Sequence, residues 1–175
     1  DTAEKSIEQA IALAKKLDKS IEFCHVSIKK KDGEDTLNDA LVKATNEGVS
    51  SKWVVLEGNF YDVAPAYIKD SLPDLIVVGT HGKKGIKQNI WGSNIFKLVS
   101  SLSAPTLVLS DFCAISDNGF KKMLLPIASH SDYLLKVKAA CKLLDASGKI
   151  LLFAIRKPGV ELNDEVIENI KTSQN

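Results

Sequence analysis

The chain has 175 residues, 45% of them hydrophobic, which is enough for one ordinary domain or for one domain and part of a second. Its 23 basic and 22 acidic residues give a formal net charge of +1, which argues against the strongly basic surface of a nucleic-acid-binding protein. No apolar run has the length of a membrane span, no signal peptide opens the chain, and the three cysteines form no C-x-x-C pair. We therefore expect a cytoplasmic protein with no nucleic-acid or membrane partner and no metal site.

Helix and strand patterns alternate along the chain, which is typical of an α/β fold with a doubly wound, open parallel sheet. The first part is predicted to contain helices 2–17, 36–46, 61–72 and one starting at Ser93, and strands 21–28, 51–56, 75–78 and 106–109. After a linker, the second part is predicted to contain strand 122–127, helix 132–144, strand 149–155 and helix 161–171. The predicted domains are 1–111 and 121–175, joined by the linker 112–120.

The two parts share a weak internal repeat. Lys16-Leu17-Asp18 and Leu143-Leu144-Asp145 each stand just before an apolar strand, roughly 130 positions apart. We therefore expect a tandem arrangement, in which the second part is the start of another domain of the same kind.

The most informative segment begins at Asp74, which leads into a short apolar run typical of a strand buried on both faces of a parallel sheet. Gly79 and Gly82 follow this strand, and after nine further residues Gly92 and Ser93 open an apolar-periodic helix. Glycines let backbone N–H groups approach an anion closely, and a helix N-terminus favours negative charge. The spacing G-x2-G-x9-G-[ST] therefore predicts a phosphate-binding loop at the C-terminal end of a strand, where open α/β folds bind ligands.

Residues 74–111 closely resemble the last third of an ATP-binding universal stress protein domain, with the four glycine and serine positions matching. This resemblance implies a Rossmann-like fold of the adenine nucleotide α-hydrolase type, with strand order 3-2-1-4-5, and it implies ATP as the ligand, with Mg²⁺ as a candidate ion bridging the phosphates. The residues that the resemblance places at the nucleotide are Val26 at the adenine, Thr80 and His81 lining the first glycine turn, and Gly79, Gly82, Gly92 and Ser93 at the ribose and phosphates. The alternatives are that these glycines only shape a loop and that Val26 is an ordinary core valine.

The family fold begins with a central strand that ends in a nucleotide-contacting aspartate, and the chain begins at Asp1 with residues that resemble those just past this strand. Either the first strand is missing from the sequence, or residues 122–127 fill its place within one chain or by exchange with a partner. In the second part the residue corresponding to that aspartate is Ala128, which predicts a poor nucleotide site there.

The resemblance implies a regulatory, stress-response protein that binds ATP with little or no turnover, because the sequence shows no general base or nucleophile at catalytic spacing. The alternative is a family member that binds no nucleotide and serves as an interaction module; slow ATP hydrolysis is a further alternative. In the family the last strand pairs with its copy, so residues 106–109 predict a homodimer or an intramolecular pseudo-dimer.

Overall fold

A computed structural model describes residues 2–28, 33–79, 93–109, 119–130 and 133–174. The chain divides into two compact units, Asp1–Ala114 (unit 1) and Ile115–Asn175 (unit 2). None of the helices in the described ranges is long and apolar enough to cross a membrane.

Helices and strands alternate in both units. Unit 1 contains, in chain order, α1 (Thr2–Lys16), β1 (Ile21–Ser27), α2 (Glu34–Asn46), β2 (Ser51–Glu57), α3 (Phe60–Ser71), β3 (Ile76–Gly79), α4 (Ser93–Ser101) and β4 (Thr106–Leu109). Unit 2 contains β5 (Phe120–Pro126), α5 (Tyr133–Leu143), β6 (Leu144–Phe153) and α6 (Asp164–Ser173). The predicted alternation is confirmed, and β4 has the predicted bounds.

The strands form parallel pairs. In unit 1, β1 pairs with β2, with Phe23 opposite Trp53, and β3 pairs with β4, with Gly79 opposite Leu109. In unit 2, β5 pairs with β6. The α/β fold with parallel strands is therefore confirmed, whereas the order in which the pairs of unit 1 join into one sheet stays a prediction.

The main core of unit 1 lies between α1, α2 and one face of the β1–β2 pair. Phe23 projects from β1 into a cluster that includes Ile11 of α1 and Leu37, Ala40 and Ala44 of α2. Ala40 is 1% exposed and Ala44 is fully buried, so α2 presents small side chains that let it approach the strands closely. The core thus depends on an apolar stripe at positions 37, 40 and 44 of α2.

The opposite face of the β1–β2 pair faces α3. Side chains alternate along a strand, so Glu22 points away from the core that holds Phe23. The hydroxyl of Tyr67, in α3, donates to Glu22 Oε1 at 2.6 Å. Helices therefore pack against both faces of this strand pair, α1 and α2 on one and α3 on the other.

Unit 2 has an irregular strand start that the sequence did not predict. We expected the strand to begin at Lys149, but β6 begins at Leu144, which pairs with Phe120 before the register shifts. The buried Asp145 carboxylate accepts from both the backbone N and the hydroxyl of Ser147, each at 2.7 Å. A Cβ on Gly148 would lie 2.8 Å from the Phe120 carbonyl oxygen, so the irregular segment requires glycine there.

Two helices also begin at other residues than predicted. Helix α2 begins at Glu34 rather than 36, because Gly33 adopts φ 97° as its N-cap. Helix α6 begins at Asp164 rather than 161, because the Asn163 side chain accepts from the Glu165 backbone N at 2.8 Å. In both cases the chemistry of one capping residue decides the start.

Candidate functional site

The predicted site lies at the C-terminal ends of the strands of unit 1. Val26 is the penultimate residue of β1, half-buried and opposite Leu56. The ladder continues one step beyond it, because the Gly58 backbone N donates to the Ser27 carbonyl oxygen at 3.0 Å. Gly79 is the last residue of β3. Both predicted residues are thus at strand ends of the kind that bind ligands in open α/β folds.

The rest of the predicted site is described only in part. Ser93 is the first residue of α4, as predicted, although only its backbone is described. Thr80, His81, Gly82 and Gly92 lie outside the described residues, so their roles at the nucleotide stay predictions.

Gly79 has a close neighbour in α1. A Cβ added at this position would meet the hydroxyl oxygen of Ser6 and lie 2.9 Å from its Cβ. Any larger residue at the end of β3 would therefore have to displace Ser6 or the backbone. Glycine is thus required here by local packing, whether or not a ligand binds. Sequence reasoning missed Ser6, because nothing in the local pattern of α1 indicates which strand end it touches.

A second close approach joins the end of β1 to the start of α2. A Cβ on Gly33 would lie 2.5–2.8 Å from three atoms of the His25 ring. His25 directly precedes Val26 in β1. Its ring therefore lies between the N-cap of α2 and the strand end next to the predicted adenine contact.

A cluster of polar side chains occupies the other end of β1. Glu22 accepts from the Tyr67 hydroxyl at 2.6 Å and forms an ion pair with Lys52 at 3.2 Å. The hydrogen bond to Glu22, followed by loss of hydration, raises the pKa of Tyr67 to about 12. Loss of hydration, followed by the Glu22 charge, raises the pKa of the Cys24 thiol to about 11, although the residue as a whole is exposed.

The raised pKa values keep both the phenol and the thiol protonated further into the alkaline range than free side chains of the same kind. Glu22 and Val26 are four positions apart, or about 13 Å along the strand, so the cluster is separate from the predicted nucleotide site. The sequence analysis did not predict this cluster. The opposite charges of Glu22 and Lys52 on neighbouring strands could have indicated the ion pair, whereas the hydrogen bond from Tyr67 depends on how α3 packs.

Metal ligands do not gather anywhere in the described ranges: no group of three or more His, Cys, Asp or Glu side chains there could hold an ion.

Comparisons with known proteins agree with this fold. The model of the Universal stress protein family matches residues 1–110. Similar solved structures include one described as a universal stress protein in complex with cAMP, which is 17% identical, with a TM-score of 0.50 over 60% of this chain and 84% of that one. At this identity the likeness shows the fold alone. No curated protein matches the chain. Because the family model covers well over half of its length, the chain belongs to the universal stress protein family.

Proposed function

We propose that unit 1 binds an adenine nucleotide, ATP, and that the protein is a regulatory nucleotide-binding member of its family with little or no turnover. The observation that carries this proposal is the sequence of β3, Gly79 and α4: a parallel strand ends in a glycine, and the next helix begins at Ser93. A universal stress protein of similar fold holds cAMP, which is also an adenine nucleotide.

The N-termini of α2 and α4 differ in the charge that they would present to a phosphate. The first turn of α4 carries no acidic residue, whereas the first turn of α2 carries Glu34 and Asp35. A helix N-terminus favours anions, and acidic side chains there oppose them. The start of α4 is therefore the better phosphate position, as the G-x2-G-x9-G-[ST] spacing predicts.

In this proposal the backbone N–H groups of Gly79, Gly82 and Gly92 and the Ser93 hydroxyl bind the ribose and phosphates. Val26 contacts the adenine, and Thr80 and His81 line the turn between them. A magnesium ion would be held chiefly through the phosphates, because the described residues offer no cluster of three ligands. Turnover stays low because the sequence pairs no nucleophile with a general base at catalytic spacing.

Two finer features belong to the same proposal. The sheet order would be β2-β1-x-β3-β4, where x is one further strand, because the observed pairs are the adjacent ones of the family order 3-2-1-4-5. The last strand, β4, exposes Val108 to 38%, and an exposed apolar edge needs a cover. We propose that β4 pairs with its copy in a homodimer or with a related strand in a pseudo-dimer.

One observation favours the alternative function, that of an interaction module without a nucleotide. Ser6 alone gives Gly79 a reason to be glycine, so that glycine is not by itself evidence of a ligand. Only the complete motif, with Gly82, Gly92 and Ser93, distinguishes the two functions, and binding measurements must decide between them.

The test is isothermal titration of ATP with magnesium, and of cAMP, into the whole chain and its variants. Gly92→Val should weaken binding at least about 100-fold, because its side chain would occupy the phosphate position. Ser93→Ala should weaken binding about tenfold through loss of one hydrogen bond to a charged group. Ser101→Ala is the matched control, because its hydroxyl donates to the Leu98 carbonyl at the other end of α4.

The outcomes separate the candidate functions. ATP binding that is lost in Gly92→Val and unchanged in Ser101→Ala supports the proposal. No binding of either nucleotide by the folded, unmodified chain would refute the proposal and favour the interaction module. Phosphate release from ATP at the rate of an ordinary enzyme, about 1 per second or faster, would contradict the proposal of little or no turnover.

A further inference from the structure

Asn169 is a buried polar residue in α6 that the nucleotide proposal does not use. The residue is 8% exposed, and its Nδ2 donates to the Ala128 carbonyl oxygen at 3.0 Å. One turn later, the Ser173 hydroxyl donates to the Asn169 carbonyl at 2.7 Å. A buried amide costs stability unless it is paired, so α6 is held in the place where Asn169 reaches this partner.

The partner group lies at the C-terminal end of β5. The last ladder bond of the β5–β6 pair runs from the Ile127 backbone N to the Phe153 carbonyl at 2.8 Å. Ala128 comes next, so its carbonyl lies just beyond the ladder. The C-terminal ends of parallel strands are the positions where open α/β sheets receive ligands. In unit 2 this position is therefore in contact with the chain's own helix.

The corresponding helix of unit 1 has different chemistry. Helix α2 follows β1 and α6 follows β6, and the two helices bury side chains at the same spacing: Leu37, Ala40 and Ala44 in α2, and Val166, Asn169 and the half-buried Ser173 in α6. The alanine at the middle position packs into an apolar core and has no side-chain donor. Asn169, at the matching position of α6, supplies a side-chain donor.

We propose that Asn169 latches α6 over the C-terminal end of β5, so that unit 2 takes up no nucleotide and the chain binds one nucleotide in all, on unit 1. This inference rests on the proposed function of unit 1 and adds that the two units are unequal. Ala128 and Asn169 act together in it: Ala128 offers a ligand no acidic side chain, and Asn169 holds α6 against its carbonyl through one of the two lone pairs of the oxygen.

The test combines titration with hydrogen exchange followed by mass spectrometry on the whole chain. ATP with magnesium should bind with a stoichiometry of one per chain and slow exchange in peptides covering residues 76–95. It should leave residues 127–130 unchanged. This measurement uses the unmodified protein and depends on no variant being folded.

A pair of asparagine variants then tests the latch. Asn169→Ala should raise exchange at residues 127–130 and in the last turn of α6 about tenfold or more, because the Ala128 carbonyl and the helix lose one hydrogen bond that links them. Asn163→Ala is the matched control on the same helix, since its side chain caps the first turn. It should raise exchange near residue 165 and leave residues 127–130 as they are. Neither variant should change the ATP affinity of unit 1.

Two results would overturn the inference: a second ATP that slows exchange at residues 127–130, or unchanged exchange at those residues in Asn169→Ala. The first would leave the proposed function intact and refute only the inequality of the units. Absence of ATP binding anywhere in the chain would instead refute the proposed function, and the exchange of Asn169→Ala would still decide whether the latch exists.

Discussion

Helices α2 and α6 occupy similar places in the strand-and-helix pattern of their units, yet the middle positions of their buried faces make different contacts. In unit 1, α2 buries two alanines against Phe23 and Ile11 in an apolar cluster. In unit 2, α6 buries an asparagine whose partner is the Ala128 carbonyl. Apolar contacts are non-directional, so they fix how close α2 lies but bind no particular backbone group. A buried hydrogen bond is directional and fixes α6 to one strand end.

If the proposals above hold, the difference teaches that one buried helix position decides whether the end of a strand can bind a ligand. In the proposal for unit 1, an apolar helix face such as that of α2 leaves the backbone groups at the strand end for a ligand. Where the helix face carries a donor, the strand end is engaged within the chain. Placing an amide at the matching position of α2 tests this difference directly. Substitutions at contacts that only one unit has test it further.

The largest effect is expected from Ala40→Asn, which places an amide at the buried position of α2. Ala40 is 1% exposed, so the amide would be unpaired at a cost of about 1–3 kcal/mol, and the added volume would cost about 1–3 kcal/mol more. Urea unfolding would measure the loss in the free energy of unfolding. Hydrogen exchange at individual residues would show that the loss lies in unit 1.

Ala40→Leu is the matched control, because leucine branches at the same carbon as asparagine and has no polar group. It should show the cost of overpacking without that of an unpaired amide. If Ala40→Asn proves no less stable than Ala40→Leu, the amide has found a partner in unit 1, and the contrast between the two helix faces would be wrong.

A smaller effect is expected from Gly33→Ala at the start of α2. Gly33 adopts φ 97°, which costs an alanine about 1–2 kcal/mol, and the new Cβ would also lie 2.5 Å from the His25 ring. Gly159→Ala in unit 2 is the matched control, because that glycine has φ 76° and an added Cβ there would meet no atom within 4 Å. The first substitution should therefore lower the free energy of unfolding more than the second.

The double variant His25→Ala/Gly33→Ala, compared with His25→Ala alone, separates the backbone strain at residue 33 from its crowding by the His25 ring. Removing the ring should bring the cost of Gly33→Ala close to that of Gly159→Ala. An equal cost for Gly33→Ala with and without the ring would show that His25 does not crowd the start of α2.

The sequence predicted those features that depend on local pattern. Apolar runs located β4 with its observed bounds and β1, β2 and β3 to within one residue, and the glycine spacing located the start of α4. These signals are local because burial and turn chemistry act on neighbouring residues. The family itself could be inferred from residues 74–111 and is confirmed by the match over residues 1–110.

The features that the sequence did not predict depend on contacts between distant residues. Strand β6 starts at Leu144 because Phe120 pairs with it, and Gly79 abuts Ser6, which lies near the start of the chain. Within its own charged helix Asn169 has the pattern of an ordinary surface residue, and only its bond to Ala128 distinguishes it. Such contacts depend on how elements pack, and no pattern within one element contains them.

The smallest effect is expected from Tyr67→Phe, which removes the hydrogen bond from α3 to Glu22 on the second face of unit 1. This part-buried bond should contribute about 1 kcal/mol to the free energy of unfolding. The same change should also alter the dependence of stability on alkaline pH. Because the pKa of Tyr67 rises from 10 to about 12 in the folded protein, its contribution is fully present below pH 10 and is lost as the pH rises through 12.

Tyr67→Phe should therefore be less stable at pH 8 and should lose less further stability between pH 10 and 12 than the unmodified chain. Tyr61→Phe, in the same helix, keeps its ring contact with Phe60 and is the control. The Cys24 thiol, with its pKa raised from 9 to about 11, contributes its own loss above pH 9 in all three proteins. A Tyr67→Phe curve parallel to that of the unmodified chain would mean that Glu22 does not hold the phenol, and that the other contacts of α3 secure it to β1.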